Sequence, residues 1–153
     1  MQISLAGKVA IVTGVSGDGQ VGQAVAKALG ENGAQLAICA RKESNVEARA
    51  KELRDAGARV FAMVGSLTDE GQVQRLIDGT VSEYGRIDVL VNLAGERSLD
   101  DWRAEVDNNL LSAFLTSRAA FPHLQAAGDG VIINFARAGQ PQANMVAHNC
   151  AKA

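Results

Sequence analysis

The hydrophobic positions of this chain fall into five short runs that alternate with longer segments of helical periodicity. The runs are rich in Val, Ile and Ala and span residues 9–13, 35–40, 59–64, 87–92 and 130–135. Short apolar runs of this composition are typical of strands that are buried on both faces of a parallel sheet. The pattern therefore predicts five parallel strands.

The segments between these runs predict helices at residues 21–32, 46–56, 69–84 and 101–126. Ser44, with Glu47 three residues later, has the pattern of a capping box and predicts the start of the second helix. Thr68 precedes two acidic residues that predict the start of the third helix, and Gly57 and Gly85 predict helix ends. Helical crossovers between parallel strands imply a right-handed, doubly wound α/β sheet with three layers, α/β/α, whose ligands bind at the carboxyl ends of the strands.

A glycine-rich turn at residues 14–22 separates the first strand from the first helix. Its glycines are Gly14, Gly17, Gly19 and Gly22. Glycine lets the backbone turn tightly and approach a ligand, and a helix that opens near Val21 directs its free N–H groups and positive dipole end at an anion. The turn therefore predicts a nucleotide diphosphate site. The alternative interpretation is that the glycines only permit close packing of the helix on the strand.

Composition favours one globular domain over residues 1–153, with 47% hydrophobic residues and 15 basic against 17 acidic side chains. There is no basic cluster and no apolar stretch of membrane-spanning length, so we expect neither a nucleic-acid nor a membrane partner. Residues 1–8 lack the pattern of a secretory signal, and we expect a cytoplasmic protein. Two Cys and two His residues without suitable spacing predict no metal site.

Five groups of residues, in this order, resemble motifs of the short-chain dehydrogenase/reductase family. They are Thr13-Gly14 with Gly22, Asn-Leu-Ala-Gly at 92–95, Asn109-Leu110, the strand ending at Asn134, and Lys152. The resemblance covers the whole chain and implies a Rossmann domain that binds NAD(H) or NADP(H) and moves a hydride between nicotinamide and an alcohol or carbonyl carbon. The cofactor-binding residues it implies are Gly14, Ser16, Gly19, Val21, Gly22, Arg41, Ser66, Asn92, Ala94 and Gly95. The later strands and the substrate lid of the family have no counterpart within the 153 residues, so we expect either a partial form or a surface that another subunit covers.

The resemblance places the choice of cofactor at the end of the second strand. Ala40 stands where NAD-specific relatives have an acid, and Arg41 follows with a planar charged fork that suits a 2′-phosphate. NADP(H) is therefore favoured over NAD(H), the alternative being that Arg41 belongs only to a solvated turn. Asp18 in the glycine turn opposes phosphate binding, and Ser66 replaces an aspartate that contacts adenine in relatives.

The implied reaction centre departs from the family pattern. His148 stands where the family has a tyrosine four residues before Lys152, and Arg137, beside Ala136, stands in place of the serine. Of the four catalytic positions only Asn109 and Lys152 match. A protonated His148 can donate a proton to an alkoxide, but the positive charges of Lys152 and Arg137 disfavour that form. Arg137 either binds an anionic substrate group or is a plain rim charge.

Two hypotheses follow for function. The first is a non-catalytic subunit, a pseudoenzyme paired with an active homologue. The alternative is an active NADP(H)-dependent oxidoreductase that interconverts a small carbonyl and an alcohol with His148 and Lys152. An apolar stripe of Leu110, Phe114 and Leu115 on the fourth helix predicts association with a homologous subunit.

Overall fold

The computed structural model describes residues 4–17, 19–95, 101–136 and 146–152, and its centre is a five-stranded parallel sheet. The strands lie in the order β3-β2-β1-β4-β5. Their bounds are β1 Val9–Thr13, β2 Gln35–Ala40, β3 Val60–Val64, β4 Val89–Asn92 and β5 Val131–Asn134. The reversal of strand order between β1 and β4 opens a crevice at the carboxyl ends of the strands, which is where doubly wound sheets bind ligands. The predicted α/β class and parallel sheet are confirmed.

Helices cover both faces of this sheet and form the outer layers. They are α1 Val21–Glu31, α2 Glu43–Asp55, α3 Glu70–Tyr84, α4 Trp102–Val106, α5 Ser112–Ala126 and α6 Val146–Ala151. The Asp69 side chain accepts from Gln72 N–H at the start of α3, and Gly85 ends that helix with φ 78°. Gly57, with φ 92°, follows the end of α2. The predicted helix ends at both glycines are confirmed.

The core consists of two apolar clusters, one on each face of the sheet. Ile11, at the centre of β1, packs with residues of α3 and α5. Its neighbours Ala10 and Val12 point to the opposite face, where they pack with residues of α1 and α2. All five β1 side chains are buried, so the continuous apolar run of this strand reflects burial on both faces.

Three local predictions were wrong. The second helix begins at Glu43 after an N-cap Lys42 that makes no side-chain cap, so Ser44 lies inside the first turn and forms no capping box. The predicted helix at 101–126 is interrupted by a π-helical turn, Asp107–Leu111, between α4 and α5. Leu115 is buried in the core, because it is the residue after the exposed Phe114 on α5 and points about 100° away from it around the helix, toward the sheet.

The exposed apolar side chains of the described region concentrate on α5 and β5. Leu110, Phe114 and Phe121 are each more than half exposed, and β5 exposes all four of its residues as an edge strand. Within the residues described, no helix is long and apolar enough to span a membrane.

Candidate active site

Thr13 joins the end of β1 to the segment that follows β4. Its Oγ1 accepts from the N–H groups of Leu93 and Ala94, both at 3.0 Å, and donates to the Val91 carbonyl at 3.3 Å. The side chain is buried. The two strand ends that border the crevice are therefore held in a fixed relative position.

The glycines of the turn after β1 have different environments. Gly14 has φ 74°, and a Cβ there would lie 2.7 Å from Ala94 N and Leu93 O; a Cβ on Gly22 would lie 2.5 Å from Gly14 O. These two glycines permit close backbone packing, as the alternative interpretation of the turn expects. Gly19, with φ 67°, has no atom within 4 Å of its Cβ position. It therefore has free space beside the groove.

A cavity of about 540 Å³ lies at the ends of β1, β2 and β3. Its lining includes Gly14, Ser16, Ala40, Arg41, Lys42, Asn45, Gly65, Thr68, Ala94 and Gly95. Arg41 and Lys42 give this end of the groove positive charge, in the position that the sequence assigns to a 2′-phosphate. Cys39 also lines it, but burial raises the pKa of this thiol to about 12, so it stays protonated.

A second cavity, of about 630 Å³, continues from the first, because both are lined by Gly14, Ser16 and Gly95. Its further lining comprises Gly19, Gln20, Val21, Gly22, Leu93, Asn109, Phe135, Ala136, His148 and Lys152. The two cavities form one groove across the glycine turn. A dinucleotide requires a cationic end, a glycine turn at the start of a helix and a polar end. The residues present therefore fit a nicotinamide cofactor.

Two of the predicted catalytic residues meet beside Gly95, and a third lines the same cavity. A Cβ at this glycine would lie 2.4 Å from Asn109 Oδ1 and 3.4 Å from Lys152 Nζ. Position 95 therefore has no space for a side chain, because the amide and the ammonium group both lie next to its backbone. His148, one helical turn before Lys152 on α6, lines the same cavity.

A buried carboxylate connects these residues. Glu105 on α4 has no solvent exposure, and its Oε2 lies 2.8 Å from His148 Nδ1 and 3.0 Å from Asn109 Nδ2. Asn109 Nδ2 also donates to the Glu105 carbonyl at 2.8 Å. Burial lowers the pKa of Lys152, and the negative charge of Glu105 acts in the opposite direction. The site therefore contains a carboxylate, an imidazole, an amide and an ammonium group.

Other predicted residues have roles within the fold. The Asn92 amide donates to Ser117 Oγ and Asn134 Oδ1 and accepts from Thr116 Oγ1. Ser66 Oγ pairs with Thr68 Oγ1 at 2.9 Å. Only the neighbours of Ser66, and not Ser66 itself, line the 540 Å³ cavity.

Two of the predicted residues, Arg137 and Asp18, lie outside the described residues. In the part of the chain that the structure covers, no group of three or more His, Cys, Asp or Glu side chains is placed to hold a metal ion.

Sequence reasoning missed Glu105. The available signal was its spacing, because Glu105 precedes Asn109 by four residues just as His148 precedes Lys152 by four. Each pair therefore shares one helix face. What the sequence did not reveal is that α4 and α6 pack against each other and bring the two faces together.

Comparison with known proteins agrees with this geometry. The family model for short chain dehydrogenases matches residues 8–153. Tropinone reductase-like 3 from Erythroxylum coca is 35% identical over 95% of this chain and 59% of its own length. A metagenomic short-chain oxidoreductase solved in complex with NADP has a TM-score of 0.87, with 31% identity over 97% of this chain and 71% of its own.

A 7α-hydroxysteroid dehydrogenase solved with NADH and 7-oxo glycochenodeoxycholic acid has a TM-score of 0.89, with 26% identity over 99% of this chain and 62% of its own. The chain thus spans somewhat more than half the length of the curated relatives that it matches first. The sheet order, the glycine turn and the family match over 8–153 agree, and the chain belongs to the short-chain dehydrogenase family.

Proposed function

We propose that this chain forms the cofactor-binding part of an NADP(H)-dependent oxidoreductase that interconverts a small carbonyl and an alcohol, with His148 as its proton donor. The observation that carries the proposal is that Asn109, His148 and Lys152 line one cavity, which continues into the glycine turn. A titratable imidazole beside an ammonium group in a dinucleotide-shaped groove is suited to acid–base chemistry.

The preference for NADP(H) rests on the other end of the groove. Arg41 and Lys42 line the cavity there, and Ala40 offers no carboxylate that would repel a 2′-phosphate. Solved relatives hold either cofactor, one NADP and another NADH. In this chain the preference rests on Arg41, whose guanidinium suits a phosphate better than a ribose diol.

When bound, the nicotinamide supplies the hydride equivalent that reduces the carbonyl carbon. The chain's own residues then act on the substrate oxygen. His148 donates a proton to that oxygen from the cavity wall, and the half-buried Lys152 ammonium stabilises the negative charge that develops there. Asn109 donates two hydrogen bonds to Glu105, and these bonds fix the position of Asn109 at this centre.

The test is NADPH oxidation by the purified protein with a panel of aldehydes and ketones. His148→Phe should lower kcat by roughly 10²–10⁴, the usual contribution of a general acid. His123→Phe is the matched control, because His123 is the chain's other histidine and lies in the last turn of α5, away from the groove. Turnover that His148→Phe leaves unchanged would exclude His148 as the proton donor.

A non-catalytic subunit paired with an active homologue is the second candidate. The observation that favours it is that His148 stands where the family has a tyrosine. In addition, Ala136, with only a methyl group, lies beside the position where the family has a serine. Tight NADPH binding without turnover on any substrate of the panel is the result that would support this candidate over the first.

A further inference from the structure

Glu105 is the one fully buried carboxylate among the described residues that contacts the candidate reaction centre. Burying a charge is unfavourable unless it is paired and hydrogen-bonded. Here one oxygen, Oε2, is shared by His148 and Asn109 at 2.8 and 3.0 Å. The carboxylate therefore holds side chains from two different segments of the chain.

The position of this carboxylate is fixed by the π-helical turn. Asn109 lies within that turn and donates both to the Glu105 carbonyl oxygen and to its carboxylate. Such turns are frequent at functional sites because they reorient side chains on a helix. Glu105 and Asn109 are thus held together by hydrogen bonds, and His148 contacts this pair through Nδ1.

We propose that Glu105 is a positioning residue that fixes the tautomer and orientation of His148, so that Nδ1 stays bonded to the carboxylate and Nε2 serves the substrate cavity. This inference rests on the proposed function. An ionised carboxylate only accepts hydrogen bonds, so a contact at 2.8 Å requires the hydrogen to be on Nδ1. The remaining ring nitrogen belongs to a side chain that lines the 630 Å³ cavity.

Glu105 also brings a negative charge close to Lys152. Lys152 follows the end of α6, and its N–H donates to the His148 carbonyl one turn earlier. Burial lowers the pKa of the Lys152 ammonium, and the charge of Glu105 acts in the opposite direction. The same carboxylate therefore contacts His148 and acts electrostatically on Lys152.

In the reduction the carbonyl carbon gains the hydride that NADPH supplies on its oxidation to NADP+, and the carbonyl oxygen takes the Nε2 proton of the imidazolium. A C–H and an O–H bond form, the C=O π bond and the Nε2–H bond break, and the alcohol leaves. The ring remains as the neutral tautomer with Nδ1–H bonded to Glu105, and a proton taken up from the solvent restores Nε2–H. In the reverse direction the same neutral tautomer accepts the alcohol proton at Nε2.

Imidazole ¹⁵N NMR on the cofactor-free protein tests the inference, with His148→Phe used to assign the signals and His123 as the internal reference. The wild-type neutral His148 should carry its hydrogen on Nδ1. Glu105→Leu removes the acceptor and should shift the ring toward the Nε2–H tautomer, while the His123 signals stay unchanged. A His148 tautomer that Glu105→Leu leaves unchanged would overturn the proposal.

Two further variants complete the design. Glu105→Gln keeps the size of the side chain and places an amide oxygen where Oε2 accepts from Asn109 and His148, while the charge is removed. It should therefore keep the Nδ1–H tautomer but lower kcat by about tenfold or more, with little change in cofactor affinity. Should Glu105→Leu not fold, the wild-type tautomer decides, and a hydrogen on Nε2 of the neutral ring would overturn the proposal. The double variant Glu105→Gln/His148→Phe should be no slower than His148→Phe alone, because the two residues act as one unit.

The outcomes separate this inference from the proposed function. Absent turnover in the wild type contradicts the proposed reaction, whereas the tautomer of the cofactor-free protein still decides the role of Glu105. If the kcat of the double variant is lower than that of His148→Phe by the full factor that Glu105→Gln has alone, the two residues act independently. That result would refute the role of Glu105 as a positioning residue for His148.

Discussion

Single Ala substitutions in the glycine turn should separate the two roles that its glycines have. Gly22 is packed against backbone, whereas Gly19 faces open space at the groove. Gly57 provides a matched control for Gly19, because it also has a positive φ, 92° against 67°, and no atom near its Cβ position, but does not line the groove.

Gly22→Ala should destabilise the fold. In a helix interior this change stabilises by about 1 kcal/mol. Here the new methyl would lie 2.5 Å from Gly14 O, a backbone atom that cannot rotate away. Overpacking costs about 1–3 kcal/mol, so the net loss is up to roughly 2 kcal/mol and Tm falls by up to roughly 8 °C.

Gly19→Ala and Gly57→Ala should each lower the free energy of unfolding by about 1–2 kcal/mol, because a residue with a Cβ disfavours the left-handed backbone conformation. They should differ in ligand binding. Only the methyl at position 19 enters the groove beside the predicted pyrophosphate, so Gly19→Ala should weaken NADPH binding by about tenfold, or roughly 1.4 kcal/mol.

Urea unfolding followed by circular dichroism measures the stability changes, and calorimetric titration with NADPH measures the affinities. A Gly22→Ala variant that is more stable than the wild type, as expected for an uncrowded helical glycine, would refute the close-packing role of that glycine. Equal NADPH affinities for Gly19→Ala and Gly57→Ala would refute the assignment of the groove to the cofactor.

Three further predictions concern other regions. Arg41→Ala should weaken NADPH binding by roughly 1.5–3 kcal/mol and leave NADH binding unchanged in calorimetry, since the charge-assisted phosphate contact is lost; an unchanged NADPH affinity would remove that role. Burial raises the pKa of Asp88, but bonds from Arg86, Val9 N–H and Lys8 outweigh it and hold that pKa below its usual 3.8. The stabilisation that ionised Asp88 gives the fold is present above about pH 4 and is lost as the pH falls through the lower pKa that Asp88 has in the folded state. Asp88→Asn should therefore lower the free energy of unfolding by about 1–3 kcal/mol at pH 7, and urea titrations should show a smaller loss of stability at acid pH. We also propose that two copies associate through Leu110 and Phe114, 53% and 56% exposed; light scattering should give a mass above the monomer that Phe114→Gln reduces, and a monomeric wild type at high concentration would contradict this.

The elements of the fold could be predicted because most of them are encoded locally. Strands β1 and β2 have the predicted bounds, since each is a run of apolar residues with one polar residue at its end, Thr13 in β1 and Gln35 in β2. Strand β4 begins two residues later than predicted, because the buried Asp88 belongs to an ion-pair cluster with Lys8 and Arg86 ahead of the strand.

The break at Asp107–Leu111 could not be predicted in the same way. A π turn adds one residue to an apolar period that otherwise continues, so the sequence predicts one uninterrupted helix. A separate error concerns Leu115, which follows the exposed Phe114 directly on α5 and therefore lies in the core rather than on the exposed stripe.

The candidate site was predictable where one motif contains it and not where two segments meet. The glycine turn was found from its local pattern, and Asn109, His148 and Lys152 were found from the family resemblance; residues of all of them line one groove. The contact between Glu105 and His148 joins residues 43 positions apart. It depends on the packing of α6 against α4, which no local pattern encodes.

A crystal structure of the protein with NADP(H) at saturating concentration decides whether the groove holds the cofactor with its nicotinamide at His148 and Lys152. We expect the 2′-phosphate beside Arg41, the pyrophosphate over Gly19 and the nicotinamide beside Gly95, with His148 still bonded to Glu105. A cofactor bound elsewhere, or no cofactor bound under those conditions, would show that the groove does not have this function.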